Sequence, residues 1–320
     1  MKEIKLFKAS NFSYTPFNDY VKGDLEFLNN HKIYITDNIN EADIIISQNL
    51  KHLKKYFWRF LLGHKFLIWT LEPRFDISFE PLKKMFYGII KCHIMNIYTK
   101  DVFVTNISIH ANLIKYKLSL VNNNFEFKNR KIIALMSYFK GVDAPKLIRD
   151  GKNIDLVALR SSIAIEGYKR GILDVYGKGW PEGISIEDSR KGDWRLRKRE
   201  LMQDYSFNLC FENTIAQNYM TEKIWESIDN YCLPIYYGEG TNAYEIFPQD
   251  SFIDYSKFNN HVDLFDYISK MTDTEYVKRM NLCIEVYNSL SCKNPALAID
   301  QRKIVLEEIL KKIHNIIDKK

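Results

Sequence analysis

The chain has 320 residues, 46% of them hydrophobic and 27% charged, which is enough apolar material for one large or two ordinary domains and excludes a disordered or fibrous chain. Its 13 glycines and 8 prolines are too few for collagen-like or low-complexity structure. Forty-six Lys and Arg against 40 Asp and Glu leave a formal charge of +6, a mild excess that suits an anionic ligand without requiring one.

In chain order, Glu3–Lys8, Lys32–Thr36 and Ala42–Ser47 read as strands, Leu50–Leu62 as a helix and Lys65–Leu71 as a further strand. Such alternation implies a parallel sheet covered by helices. The pattern breaks over Val121–Arg130, around the asparagine run 122–124, and resumes with the strand-like Lys131–Met136. A domain boundary is expected there, giving domains 1–127 and 128–296. The second domain repeats the alternation: a helix over Ile154–Arg170, the strand Ile172–Tyr176, a loop with Gly177, Gly179 and Gly183, and a charged helix Asp193–Met202. The strand Ser206–Phe211, a helix opening near Thr221, and the strands Leu233–Tyr237 and Ser251–Asp254 follow. Residues 297–320 place Ile309, Ile313, Ile316 and Ile317 at helical spacing with lysines opposite, an amphipathic helix that either packs on the body or touches a membrane surface peripherally.

The cysteines Cys92, Cys210, Cys232, Cys283 and Cys292 form no C-x-x-C pair and stand near no histidine cluster. Reduced thiols in a cytosol are expected, not a disulfide framework or a zinc finger. Met1–Phe12 lacks the apolar region of a signal peptide, and stretches such as Phe66–Leu71 and Met85–Ile90 are too short to cross a bilayer. The expected location is therefore cytoplasmic.

Three stretches could carry chemistry. In Phe207–Trp225 an apolar strand ends in Glu212-Asn213, and Thr221 can cap a helix whose first turn carries Glu222 and Lys223. Ligands bind at the carboxyl ends of strands in open α/β sheets, and a helix N-terminus attracts an anion. Glu222 could take sugar hydroxyls and Lys223 phosphate oxygens; equally, Glu222 could serve the helix dipole beside a solvated lysine. The second stretch, Phe66–Pro73, ends an apolar strand in Glu72, which is either a general base at the edge of a cleft or a strand terminator paired with Arg74. The third, Asp193–Glu200, is the densest basic run, but acidic neighbours at Glu187, Asp188 and Asp204 make a solvated helix the better reading than a nucleic-acid patch. The loop Gly177–Gly183 lacks G-x-G-x-x-G spacing, and neither paired histidines nor an Asp-x-Asp motif suggests a metal.

The motif Phe211-Glu212-Asn213-Thr214, then Tyr219-Met220-Thr221-Glu222-Lys223-Ile224, then Pro234–Gly238 and Phe247–Ile253 resembles the signature of the family ten glycosyltransferases, the α1,3/α1,4-fucosyltransferases that use GDP-fucose. The resemblance is close from about Ile132 to Asp266 and thin elsewhere. It implies a GT-B-like α/β architecture of two Rossmann-type domains facing a cleft, the acceptor domain first and the GDP-sugar domain second. By the same resemblance Glu222 holds the ribose hydroxyls and Lys223 the diphosphate, while Asn213 and Tyr219 contact the nucleotide sugar. Arg160 is the best match for a phosphate-binding arginine, with Lys169 and Arg170 as rivals, and Ser137 resembles the serine that opens that segment. Glu72 resembles the catalytic base, with Asp76 and Glu80 as the nearest alternatives. The implied reaction is inverting transfer of fucose to an acceptor oligosaccharide, such as the N-acetylglucosamine of a lactosamine-type unit, with no cofactor, no metal and no nucleic-acid partner. A transferase for another GDP-sugar or acceptor, or a non-catalytic binding protein on the same scaffold, is the alternative.

Overall fold

The computed structural model describes residues 2–10, 15–73, 81–96, 114–127, 129–139, 146–188 and 192–318. The chain divides into two compact units: unit 1 comprises Met1–Asn106 with Ile299–Lys320, and unit 2 comprises Ile107–Ala298.

Unit 1 is built on strands β1 (Ile4–Lys8), β2 (Ile33–Thr36), β3 (Ile44–Ser47), β4 (Lys65–Thr70), β5 (Leu82–Met85) and β6 (Ile90–Asn96), in the order β2-β1-β3-β4-β6-β5. All neighbours are parallel except β5 and β6, an antiparallel hairpin at the edge. Every residue of β3 is buried, as expected of a β-branched run covered on both faces. The expected helix over 50–62 is a single α-turn, Leu50–Leu53, capped by Asn49, whose side chain accepts from the His52 N–H (3.1 Å). It then tightens to a 3-10 segment over Lys54–Leu62 and stops at Gly63, whose φ of 87° lies in the left-handed region.

The C-terminal helix, Ala296–Asp318, clusters with unit 1 from Ile299 onward. Its Ile309, Ile313 and Ile316 are buried, so the stripe expected to meet either the body or a membrane is covered by protein. One turn of this helix carries Arg302, whose guanidinium pairs with both oxygens of Asp24, and both residues are buried. Asp24 also accepts from the Val21 N–H (3.0 Å). The helix is thus locked to the first α-helix of the chain, Asp24–Asn30, by charge as well as by apolar contact.

Unit 2 holds six parallel strands in the order β11-β10-β7-β12-β13-β14. They are β7 (Ile132–Leu135), β10 (Leu173–Tyr176), β11 (Ser185–Glu187), β12 (Phe207–Leu209), β13 (Leu233–Tyr236) and β14 (Ile253–Asp254); a small hairpin, β8 (Ile148–Arg149) and β9 (Lys152–Asn153), precedes the helix Leu156–Lys169. The boundary was expected at residue 127, whereas 114–127 belongs with unit 2. The physical reason lies in the helix Asp273–Lys293, which follows the strands. Its Asn288 amide accepts from the Leu118 N–H (2.7 Å) and donates to the Leu118 carbonyl (2.9 Å), and Asn281 does the same at Val121 (2.7 and 3.1 Å). Asn294, just beyond the helix, donates to the Ile114 carbonyl (2.8 Å). Phe125 then stacks on Tyr276 at 4.5 Å between ring centroids. Side-chain amides substitute for a neighbouring strand, so this segment is held without β periodicity.

The ion pair in unit 1 yields a prediction. Removing one partner of a buried pair strands the other charge and costs about 3 kcal/mol or more; Asp24→Ala is therefore expected to lower unfolding stability by about that amount in urea titration. A change below about 1 kcal/mol would show that the pair contributes little to docking the C-terminal helix.

Candidate anion-binding site

At the carboxyl end of β12 the chain runs Cys210-Phe211-Glu212 before turning into the loop that leads to the eight-residue helix Glu222–Asp229. Glu212 is 2% exposed, and its carboxylate gathers the groups around it. One oxygen accepts from the Thr221 N–H at 2.7 Å, and the Thr221 hydroxyl lies 2.9 and 2.8 Å from the two oxygens. The Lys223 ammonium donates to the second oxygen at 2.9 Å and to the Thr221 hydroxyl at 2.7 Å, and the Tyr236 hydroxyl donates to the first at 3.3 Å. Burial pushes the Glu212 carboxyl above the usual carboxylate range, against the pull of the Lys223 charge. Burial alone would lower the Lys223 pKa, but the Glu212 and Glu222 carboxylates overcome it and hold the ammonium above its ordinary value. Lys223 is therefore a cation at neutral pH, and its side chain keeps 23% of its surface.

Thr221 was expected to cap the helix. It occupies the capping position with no side-chain cap bond, because its hydroxyl is committed to Glu212 and Lys223. The residue fixes the entrance of the helix to the end of β12 instead of satisfying the helix's own N–H groups.

Arg160 approaches from the helix Leu156–Lys169, whose N-terminus is capped by Asp155 through the Val157 N–H (2.9 Å). The Leu156 N–H donates to the Asn213 carbonyl (3.1 Å) and the Ile215 N–H to the Ile154 carbonyl (2.9 Å), which ties this N-terminus to the 213–215 loop. Arg160 is buried and donates through Nη1 to the Phe211 carbonyl at 3.1 Å, one residue before Glu212. Its charge acts to lower the Lys223 pKa, so two cations stand within electrostatic reach at one strand end. Such a pair favours a ligand with more than one negative charge.

The neighbouring strand ends come close by the same local logic. A Cβ on Gly177, after β10, would stand 2.2 Å from the Met136 carbonyl oxygen, so only glycine allows the loop 177–183 to lie against the end of β7. The Trp180 indole donates to that carbonyl (2.8 Å), and its ring lies 5.1 Å from that of Tyr138. The Ser137 hydroxyl is buried here without a partner among the described residues. After β13, the Gly238 N–H donates to Asp254 (2.9 Å), which also accepts from Tyr244 (2.7 Å).

The structure thus brings Arg160, Asn213, Glu222 and Lys223 together in unit 2. Asn213 is half-buried and the Glu222 side chain 36% exposed. Tyr219 belongs to the layer beneath: it is 3% exposed, and its carbonyl accepts from Tyr236. Lys169 and Arg170 lie at the far end of the same helix, with Arg170 paired to Glu166 (2.7 Å). Glu72 stands in unit 1, two residues past β4; its N–H donates to the Thr70 hydroxyl (3.1 Å), and its carbonyl accepts from Asn96. The residue is exposed, because the strand ends before the glutamate. Arg74, Asp76 and Glu80 lie outside the described residues. In the basic run, Arg197 pairs with Glu187 (2.8 Å) and Glu200 (3.1 Å), and Lys198 pairs with Glu226. Sequence reasoning assigned no role to Glu212 or Tyr236; a carboxylate closing the mostly apolar run Phe207–Phe211 was the available signal for the first.

Residues 164–281 match the model of glycosyltransferase family 10 (fucosyltransferase), C-terminal part. An alpha-(1,4)-fucosyltransferase of Arabidopsis thaliana is 33% identical over 103 residues, covering 32% of this chain and 25% of that protein. The alpha-(1,3)-fucosyltransferase FucT of Helicobacter pylori is 41% identical over 71 residues, covering 22% of this chain and 15% of that protein. The matched segments thus span a quarter or less of these relatives' length. A crystal structure of an alpha1,3-fucosyltransferase aligns with 91% of this chain and 89% of that chain at 17% identity, with a TM-score of 0.49.

The geometry around Glu212 predicts a non-additive pair. Glu212→Gln leaves the Lys223 charge poorly compensated and is expected to cost about 3 kcal/mol in thermal unfolding. Adding Lys223→Met to Glu212→Gln is expected to recover part of that loss, since the uncompensated charge is removed. If the two losses simply add, the bridge is not the element that holds the loop.

Proposed function

We propose that this chain, which carries the C-terminal fucosyltransferase domain of glycosyltransferase family 10 over residues 164–281, transfers fucose from GDP-fucose to a hydroxyl of an acceptor oligosaccharide with inversion at the anomeric carbon. The observation that supports this most is the anchored pair of cations, Lys223 on Glu212 and Arg160 on the Phe211 carbonyl, at the carboxyl end of a parallel sheet. A diphosphate carries the multiple charge that such a pair suits.

In this reading the acceptor oxygen forms a bond to the anomeric carbon as the bond from that carbon to the β-phosphate oxygen breaks, and GDP departs with the electron pair. Lys223 and Arg160 offset the charge that grows on the departing diphosphate. Because Lys223 is held by Glu212 and Thr221 before the donor arrives, little reorganisation is needed as that charge develops. Glu222 takes the ribose hydroxyls, and Asn213 contacts the nucleotide sugar. Glu72 of unit 1 takes the proton released by the acceptor hydroxyl, and its exposed carboxylate is accessible for that role. The side-chain cations do the work of a divalent ion, so no metal or other cofactor enters the scheme. The proposed acceptor is an N-acetylglucosamine unit of a lactosamine-type glycan, and the proposed setting is the cytoplasm.

The test is transfer of fucose from GDP-fucose to N-acetyllactosamine, followed by mass spectrometry of the product, with donor binding measured by calorimetry. GDP and GDP-fucose are expected to raise the melting temperature and UDP-sugars to leave it unchanged; equal shifts with UDP-sugars would remove the donor assignment. Lys223→Ala is expected to weaken donor binding by about 1.5–3 kcal/mol. Glu72→Gln is expected to lower transfer by about 10²–10⁴ while donor binding persists. A fall of only about tenfold would assign the proton to another base. Transfer is also expected to survive EDTA, and complete loss restored by manganese would contradict the metal-free scheme.

A further inference from the structure

Two neighbouring elements of unit 1 present large apolar side chains to solvent. The 3-10 segment Lys54–Leu62 exposes Trp58 (56%), Leu61 (74%) and Leu62 (63%), and the turn between β5 and β6 exposes Phe86 (63%), Tyr87 (108%) and Ile89 (60%). Side chains at i and i+3 eclipse on a 3-10 helix, so Lys55, Trp58 and Leu61 stand in one row. The two elements meet where the Phe57 ring packs edge-on against Phe86, 6.4 Å between centroids, with Met85 and Ile90 packed in the same cluster as Phe57. The exposed side chains therefore flank a single contact.

The turn is strained to present them. Phe86 and Tyr87 have φ of 50° and 56°, in the left-handed region where Asn and Gly are the usual occupants. Phe86 gains only its edge contact with Phe57, and Tyr87 stands fully in solvent, so the strained turn presents more apolar surface than it packs, which points to a contact outside the chain.

The charge of these elements is one-sided. Asn49–Gly63 and Leu82–Asn96 contain Lys51, Lys54, Lys55, Arg59, Lys83, Lys84 and Lys91 and no carboxylate. Seven cations exceed the +6 net charge of the entire chain, so the excess of the molecule is concentrated here. An exposed set of Leu, Phe, Trp and Tyr on two elements that carry seven cations and no carboxylate matches the layered chemistry of an anionic bilayer: acyl chains, then headgroups, then phosphate charge. A symmetric contact with a second copy would press like charges together, and a nucleic acid offers nothing for Leu61 and Leu62.

We infer that this face docks unit 1 on an anionic membrane surface. Leu61, Leu62 and Phe86 enter the acyl boundary, Trp58 and Tyr87 lie at headgroup level, and Lys54, Lys55, Lys84 and Lys91 meet lipid phosphates. This replaces the C-terminal helix, whose apolar stripe is buried, and is independent of the proposed fucosyl transfer.

The experiment is co-sedimentation of the full chain with vesicles of phosphatidylglycerol and phosphatidylcholine in equal parts, against vesicles of phosphatidylcholine alone. Binding to the anionic vesicles is expected, weakened by salt and weakened about tenfold or more by Lys54→Glu with Lys84→Glu. Leu61→Ser with Tyr87→Ser, at exposed positions, is expected to abolish binding while the circular dichroism spectrum stays unchanged. No binding to anionic vesicles, equal binding to neutral ones, or indifference to both pairs of substitutions would overturn the inference. A dimer in analytical ultracentrifugation that Leu61→Ser with Tyr87→Ser dissociates would overturn it in favour of self-association.

Discussion

One buried carboxylate organises the functional end of unit 2. Glu212 is buried, so its negative charge is tolerable only while Thr221, Lys223 and Tyr236 donate to it. That requirement pins the first turn of the helix Glu222–Asp229 to the end of β12 and aims a lysine that would otherwise be a flexible surface side chain. Arg160 reaches the same place through the Phe211 carbonyl. Electrostatic cost in the interior is thereby converted into fixed positive charge at the edge.

A comparable exchange occurs where no charge is involved. Gly177 gives up a side chain so that the loop after β10 can lie on the Met136 carbonyl, and the Trp180 indole donates to the same oxygen. Strand order alone would leave the ends of β7, β10, β12 and β13 near one another, but the loops are held down by individual bonds of this kind. Those bonds specify the surroundings of Arg160 and Lys223 more closely than the sheet does.

Much of this was legible in the sequence, for reasons that differ by element. Strands such as Ile44–Ser47 and Leu233–Tyr236 are continuous apolar runs that a two-sided parallel sheet demands, and they fall where the pattern placed them. The Asn213, Glu222 and Lys223 neighbourhood was legible because spacing along a strand–loop–helix unit is local. The β5–β6 hairpin was not, since its turn is Phe86-Tyr87-Gly88 and carries no Asn-Gly or Asp-Gly signal. The placement of 114–127 was hidden because its partners, Asn281, Asn288 and Asn294, lie more than 150 residues away and bond to main chain. Glu212 showed its position but not its role, because its role depends on burial and on Tyr236 at the end of β13.

Those asparagines carry a liability of a chemical kind. Each of Asn281 and Asn288 uses its amide as both donor and acceptor toward the N–H and C=O of one residue, a double function that no carboxylate can reproduce. Hydrolysis of the Asn288 amide during ageing of the protein would preserve the acceptor for the Leu118 N–H and turn the donor into a negative charge facing the Leu118 carbonyl. The bonds that Asn288 makes to this segment depend on none of its side chains, yet one of them is lost to the conversion of a single amide on the helix that reads it.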